Sequence, residues 1–165
     1  MFALDLIDKL RAVSPAAANA VLKFGIPQII PLTAGLGMTV EEVTATRAST
    51  MLPLKKRTRN HVGSVYFGAQ MTQAEITMGL LLFHLYPPGP WGMLVKRVEA
   101  DFHAKGKGTL RAVCEPPREA LDALAQARSN EDGKAEAWIP VRVTTLDGEP
   151  VTDARFLASL KRFER

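Results

Sequence analysis

Arg59-Asn60-His61-Val62-Gly63-Ser64, running straight into the apolar segment Val65 to Leu85 with Glu75 at its middle, is the stretch on which the reading of this chain turns. As an α-helix the segment would be about 30 Å long at 1.5 Å per residue, enough to cross a small domain. A helix apolar on nearly all sides must be wrapped by other structure, and it has room for almost no ionised side chain. On a wheel at about 100° per residue, Tyr66, Gln70, Gln73, Thr77 and His84 fall in one narrow arc. Glu75 falls on the other side, beside Gly68, Met71, Thr72, Met78, Gly79 and Leu82. The carboxylate is therefore expected in apolar surroundings, on a face that its glycines flatten at about 1 kcal/mol per position relative to alanine. Burial destabilises the solvated charge of a carboxylate and makes it a stronger base, which suits Glu75 to catalysis. Neutralisation by an arginine such as Arg59, or burial in a dimer interface, would explain the same residue without chemistry.

Working outward, Ser64 is placed to cap the helix, and Pro87-Pro88-Gly89-Pro90 stops it. Asn60, just ahead of the helix, could hold a water or a substrate carbonyl, although an asparagine in a loop is usually a turn residue. The unpaired amides of a helix's first turn suit a developing oxyanion. Lys55-Lys56-Arg57 with Arg59 is either a solvated loop or a site for a phosphate-bearing ligand.

On the N-terminal side, Gly37 to Val43 and Thr46 to Leu52 read as an antiparallel pair joined at Thr44-Ala45. Ahead of them, Phe2 to Phe24 carries apolar residues at helical spacing with Ser14-Pro15 in the middle, which predicts two short helices. Gly25, Pro27 and Pro31 should end the second, with Ile26, Ile29 and Ile30 packed on something apolar. On the C-terminal side, Trp91 to His103 reads as a half-solvated strand with Leu94, Val98, Ala100 and Phe102 on one face and Arg97, Glu99 and Asp101 on the other. Thr109 to Glu115 follows as a strand. Pro116-Pro117 opens a short helix through Leu121, Leu124 and Ala125, and Ala135 to Leu146 is again a strand. Asp147-Gly148 signals a hairpin into a last strand from about Val151. Ala154 to Phe163 also fits a helical face, and the hairpin's need for a partner decides for strand.

One long helix and a run of antiparallel strands predict an α+β fold with a sheet curled around the helix. Residues 1–34 are expected as a helical extension on the domain formed by 35–165. The chain has 165 residues, a net charge of +4 and a charged fraction of 23%, values ordinary for a single globular domain that is neither disordered nor membrane-spanning. No zinc-finger spacing, aromatic strand motif or phosphate loop points to nucleic acid. The three histidines are scattered, without paired cysteines, which argues against a metal site. The single cysteine, Cys114, and the absence of a signal-like start make a reducing cytoplasm the expected compartment.

Arg59 to Ala69 followed by Gln70 to Glu75 resembles the signature of hotdog-fold acyl-CoA thioesterases, in the branch of phenylacetyl-CoA and 4-hydroxybenzoyl-CoA thioesterases and related uncharacterised bacterial proteins. In that family an asparagine precedes a glycine-rich helix start, and an Asp or Glu follows within the helix. The resemblance, which runs from about Gly35 to the C-terminus, implies a hotdog fold and thioester hydrolysis. It implies Glu75 as base or nucleophile, Asn60 positioning water, and the backbone amides of Phe67 and Gly68 holding the oxyanion. Tyr66, Thr72 and Gly79 would line the substrate, and Arg57 and Arg59 would meet the coenzyme A phosphates, coenzyme A being part of the substrate and no further cofactor being needed. It also implies a homodimer or dimer of dimers, since family sites combine residues of two protomers. Tyr66 stands where the family often has histidine, and Phe67 where it usually has glycine. Two other functions remain open: a non-catalytic acyl-ligand-binding dimer, and a hydratase or dehydratase, for which His61 is the only nearby histidine and sits at the wrong offset.

Overall fold

Short alternating segments separated by proline and glycine turns form six strands, and the one long apolar run forms the helix they enclose. The structure, a computed structural model, describes residues 25–163. Its elements are β1 (Thr39–Val43), β2 (Ala48–Leu52), α1 (Phe67–Leu85), β3 (Trp91–Phe102), β4 (Leu110–Cys114), α2 (Arg118–Ala125), β5 (Lys134–Thr145) and β6 (Pro150–Arg162). The strands make one sheet in the order β1-β2-β4-β5-β6-β3, antiparallel at every junction. The expected α+β arrangement, a sheet wrapped on a central helix, is what the chain adopts. The two short helices expected within Phe2 to Phe24 lie outside the described residues.

β6 settles the segment whose apolar spacing fitted either a helix or a strand. Its backbone pairs with β5 on one side and β3 on the other, and its even-numbered residues Ala154, Phe156, Ala158 and Leu160 are buried. α1 lies across β2, β4 and β5. Met78, Leu81 and Leu82 are fully buried on the helix, as are Leu52, Leu110 and Ile139 on the strands it packs against. Apolar burial at roughly 25 cal/mol per Å² drives this packing. α2 packs on β5 through the buried Leu124, as its amphipathic pattern predicts.

In the course of its elements the structure departs from the sequence-based expectation at four places. The hairpin between β1 and β2 takes residues 44–47, because Thr44 donates from its backbone and hydroxyl to Arg47 O and accepts from the Arg47 amide, which keeps Thr46 out of the strand. β3 contains a bulge between Val95 and Arg97. One extra residue reverses the side-chain alternation, so Leu94 shares the outer face with Arg97, Glu99 and Asp101 and is 73% exposed, while Val98, Ala100 and Phe102 face the helix side. Residues 25–29 are helical through Gly25 and Pro27, with the Ile30 amide bonded to Ile26 O. Ile26 and Ile30 pack on the core, whereas Ile29 is 80% exposed. α1, finally, begins at Phe67 with Tyr66 as its N-cap and not at Ser64.

The polar arc of α1 faces inward. Gln70 Nε2 donates to Val65 O at 2.9 Å and its Oε1 accepts from the Thr152 hydroxyl at 2.6 Å. Gln73 Nε2 donates to Thr50 O at 3.1 Å and to Leu110 O at 3.2 Å. The Thr77 hydroxyl donates to Gln73 O, leaving its oxygen for the Thr50 hydroxyl at 2.7 Å. All four side chains of this helix–sheet clamp at Gln70, Gln73, Thr77 and Thr50 are buried.

A surface bond joins β1 to β4. The Glu41 carboxylate accepts from Arg111 Nε at 2.8 Å and Nη2 at 3.0 Å, and from the Ser49 hydroxyl at 3.1 Å. The Arg111 guanidinium holds the Glu41 carboxyl below its ordinary value.

Two outcomes follow for stability. Thr77→Val leaves the buried Thr50 hydroxyl without an acceptor and should cost about 1–3 kcal/mol in urea denaturation, whereas Thr50→Val/Thr77→Val removes both partners and should cost less than the sum of the single changes. Because the folded Glu41 pKa is depressed, its contribution is present above the unfolded value and disappears as pH falls through the folded one. Wild-type stability should therefore fall more steeply than that of Arg111→Met once pH drops below 4.5.

Candidate active site

The loop ahead of α1 is built by side chains that bond their own backbone. The Thr58 hydroxyl donates to Pro53 O and accepts from the Lys55 amide, both at 2.8 Å. Asn60 Oδ1 accepts from the amides of Val62 at 3.1 Å and Ser64 at 3.0 Å, and Nδ2 donates to Ser64 Oγ at 2.9 Å. Asn60 therefore organises the turn, and one N–H of its amide remains for another acceptor. Ser64 is buried and serves Asn60, which is why it does not cap the helix. The Val65 amide donates to Gly106 O and the Tyr66 amide to Thr58 O, fixing the point from which α1 departs.

At that point Tyr66 O accepts from the amides of Ala69 and Gln70. Phe67 and Gly68 occupy the first two helical positions, whose N–H groups have no acceptor within a helix and point out of its positive end. The Tyr66 ring lies against Gly68, where a Cβ would come within 2.6 Å of Tyr66 Cε1. Tyr66 and Phe67 rings are 4.8 Å apart, and the Phe67 ring meets that of Phe102 edge-on at 6.1 Å. Phe67 is 54% exposed and Phe102 47% exposed. The contact with Phe102 escaped the sequence, because nothing local to β3 signals that its last inner-facing residue reaches the helix start.

Glu75 is exposed, which corrects the expectation of a carboxylate enclosed in apolar surroundings. The clamp explains the difference. The arc of Gln70, Gln73 and Thr77 is centred roughly 180° from Glu75 on a helical wheel, so turning that arc to the sheet turns Glu75 away from it. Among the described residues no arginine or lysine pairs with Glu75, and Arg59 lies exposed in the loop without reaching it. Met71 and Thr72 beside Glu75 are half-buried, and one turn further on Gly79 is buried. The Thr72 hydroxyl is spent on Gly68 O at 2.9 Å.

Lys55, Lys56, Arg57 and Arg59 are all exposed. Lys55 and Arg57 lie over the glycine turn before β1, since a Cβ at Gly37 would strike Lys55 Nζ and one at Gly35 would come within 2.9 Å of Arg57 Cδ and Nε. Both glycines have positive φ, at 73° and 79°, so the turn and the basic loop close on each other.

The other chemistry-bearing groups lead nowhere near Glu75. A cleft of about 700 Å³ on the outer sheet face is lined by Glu99, Asp101, Arg142, Asp153 and Arg155 among others. Most of its charges are paired, Arg155 with Glu99, Arg142 with Asp153 and Asp153 with His103, while Asp101 has no partner among the described residues. Cys114 is buried, which pushes its thiol up to about 12 and leaves it unreactive. Among the described residues no three His, Cys, Asp or Glu side chains gather to hold a metal, and no helix is long and apolar enough to cross a membrane.

The sequence model of a family described as a domain of unknown function, DUF4442, matches residues 18–159. No curated protein matches the chain. Among solved structures, a Pseudomonas aeruginosa protein of unknown function described as a probable thioesterase, PA5026, aligns with a TM-score of 0.74 at 25% identity over 87% of this chain and 93% of its own. A variant of the Pseudomonas aeruginosa thioesterase PA1618 aligns at 0.65 and 17% identity, covering 88% and 91% of the two chains. The Haemophilus influenzae thioesterase HI1161 aligns at 0.65 and 12% identity, covering 85% and 90%. The shared architecture is the hotdog fold.

The hydrogen bonds of Asn60 separate its structural role from any chemical one. Asn60→Ala frees the amides of Val62 and Ser64 and should lower stability by about 1–2 kcal/mol, whereas Asn60→Asp keeps an acceptor for both and should stay within about 0.5 kcal/mol of wild type in thermal unfolding.

Proposed function

This chain belongs to the DUF4442 family, and from its likeness to thioesterases of the same fold we propose that it is an acyl-CoA thioesterase whose site is completed by a second copy of the chain. The observation that carries this reading is an exposed carboxylate with no cationic partner among the described residues, on the same helix as two first-turn amides that no helical carbonyl accepts. Eight residues separate Phe67 from Glu75, about 12 Å along the axis at 1.5 Å per residue. One thioester carbonyl cannot touch both within a protomer. A homodimer resolves this by setting Glu75 of one copy against the Phe67 and Gly68 amides of the other.

The free edge of β3 supports such a dimer. Among the described residues it is the long unpaired edge, at twelve residues, whereas β1 at the other end has five residues, a bulge and two glutamates. Val98 and Phe102 stand half-exposed on the inner face of β3, beyond the strands that α1 covers, and with Phe67 and Tyr66 they form an apolar surface of the kind that marks an interface.

In the reaction, Glu75 accepts a proton from water as its oxygen adds to the thioester carbonyl carbon, or its carboxylate attacks that carbon directly. The negative charge that develops on the carbonyl oxygen falls to the Phe67 and Gly68 amides, reinforced by the positive end of α1. When Glu75 acts as base, collapse breaks the carbon–sulfur bond and the proton it holds passes to the departing thiolate, giving a carboxylic acid and coenzyme A; when it attacks directly, collapse expels the thiolate and leaves a mixed anhydride on Glu75, which water hydrolyses to the carboxylic acid, restoring the carboxylate and releasing the proton that the thiolate takes up. The free N–H of Asn60 can orient the water. Arg57 and Arg59, exposed on a loop next to the helix start, suit the phosphates of coenzyme A. A cytoplasmic setting goes with this reading. The Tyr66 and Phe67 rings, tilted against each other at the helix start, also favour a second reading, a dimer that binds acyl ligands without turning them over.

Hydrolysis of a panel of acyl- and aryl-CoA thioesters, followed by thiol detection, tests the proposal. Wild type should turn over at least one of them as a dimer in sedimentation velocity. Glu75→Gln should lower kcat by at least about 100-fold with the dimer intact. Full activity in Glu75→Gln would place the chemistry elsewhere, and a folded wild-type dimer inactive on the whole panel would favour the binding reading.

A further inference from the structure

Among the described residues no side chain caps the start of α1. Tyr66, the N-cap, makes no hydrogen bond to the first turn, and that turn carries no acid. A Ser, Thr, Asp or Asn at the same place would accept from the N–H of the second or third helical residue. The second is Gly68, so a cap of that kind would compete for an amide that the proposed reaction needs free. An uncapped helix end frays, however, and a frayed amide does not hold an oxyanion at one place.

A row of rings stands where the cap is missing. The Tyr66 and Phe67 rings lie 4.8 Å apart, tilted at 59°, and Phe67 meets Phe102 edge-on at 6.1 Å and 84°, within the range of favourable aromatic pairs. Phe102 is itself anchored at the end of β3. It pairs with Thr152 of β6, and the next residue, His103, donates its amide to Val151 O at 2.9 Å. The Thr152 hydroxyl in turn donates to Gln70 Oε1 on α1, and Gln70 Nε2 holds Val65 O just ahead of the helix. The end of β3 and the start of α1 are thus tied twice, by hydrogen bonds through β6 and by the rings. The ring contacts use no backbone N–H.

We propose that Phe102 is a positioning residue: its ring holds that of Phe67 and so steadies the first turn of α1 while leaving the Phe67 and Gly68 amides free for the oxyanion. The oxyanion role rests on the thioesterase reading, and the steadying of the turn does not. Phe67, a bulky residue at the first helical position, then has a use for its side chain that does not interfere with its amide.

The test compares wild type, Phe102→Leu, which keeps an apolar side chain without a ring, and Phe102→Tyr, which keeps the ring. One measurement is kcat and KM on an acyl-CoA thioester that the wild type hydrolyses. The other is hydrogen exchange at the Ala69 and Gln70 amides, which bond to Tyr66 O and report opening of the first turn. Phe102→Leu should lower kcat by about three- to tenfold with KM within about twofold, and should speed exchange at both amides by a similar factor. Phe102→Tyr should restore both. Unchanged exchange in Phe102→Leu overturns the proposal whatever kcat does. Faster exchange with an unchanged kcat also overturns it, as does a change confined to KM, because Phe102 would then touch the substrate. A shift of oligomeric state in Phe102→Leu, read by sedimentation velocity, overturns it too, since the residue would act through the interface. Should wild type hydrolyse nothing, the thioesterase reading fails and exchange alone decides: faster in Phe102→Leu and restored in Phe102→Tyr supports the held turn, and unchanged overturns it.

Discussion

The clamp between α1 and the sheet is the constraint on which the site depends. Apolar packing alone leaves a helix this hydrophobic free to settle at several rotations, because most of its faces would be content against the strands. Gln70, Gln73 and Thr77 remove that freedom. Buried amides and hydroxyls without partners cost several kcal/mol together, and only one rotation offers them Val65 O, Thr152, Thr50 and Leu110 O. That rotation turns Glu75 outward. The fold's internal polar bonds thus fix where its one outward carboxylate on α1 is presented, without any side chain having to hold Glu75 itself.

The same geometry leaves the protomer unfinished on one side. α1 covers β2, β4 and β5 but not β3, which extends the sheet beyond it. The bulge after Val95 turns Val98 and Phe102 to the helix side, where among the described residues they stay half-exposed. Phe67 closes onto Phe102, and the apolar surface ends in the open. Separation of Glu75 from the helix-start amides by two helical turns and the uncovered inner face of β3 are two consequences of one arrangement, and the proposed dimer answers both.

The glycines show how conformation and space divide the roles of one residue type. Gly35 and Gly37 permit a turn with positive φ on which Arg57 and Lys55 lie, Gly68 makes room for Tyr66, and Gly92 makes room for Phe163. At Gly79, among the described residues, a Cβ would meet only Met93 Cε, at 3.9 Å.

Much of the fold was legible because it rests on local chemistry. The uninterrupted apolar run, the prolines after Tyr86 and the Asp147-Gly148 hairpin determined a long enclosed helix, its end, and antiparallel strands around it, since periodicity and backbone restriction act within a few residues. Tertiary structure decided what local pattern could not. Ser64 looks like a cap until Asn60 claims its hydroxyl, and Leu94 belongs with Phe102 until a bulge, visible only in the pairing with β6, moves it to the other face. Glu75 reads as buried because its helical neighbours are apolar, yet exposure depends on which face the sheet takes, and the buried hydrogen bonds to β2, β4 and β6 gave the sheet the polar arc. A sequence determines which side chains share a face of a helix. Only the partners brought from distant strands determine which of those faces is inside.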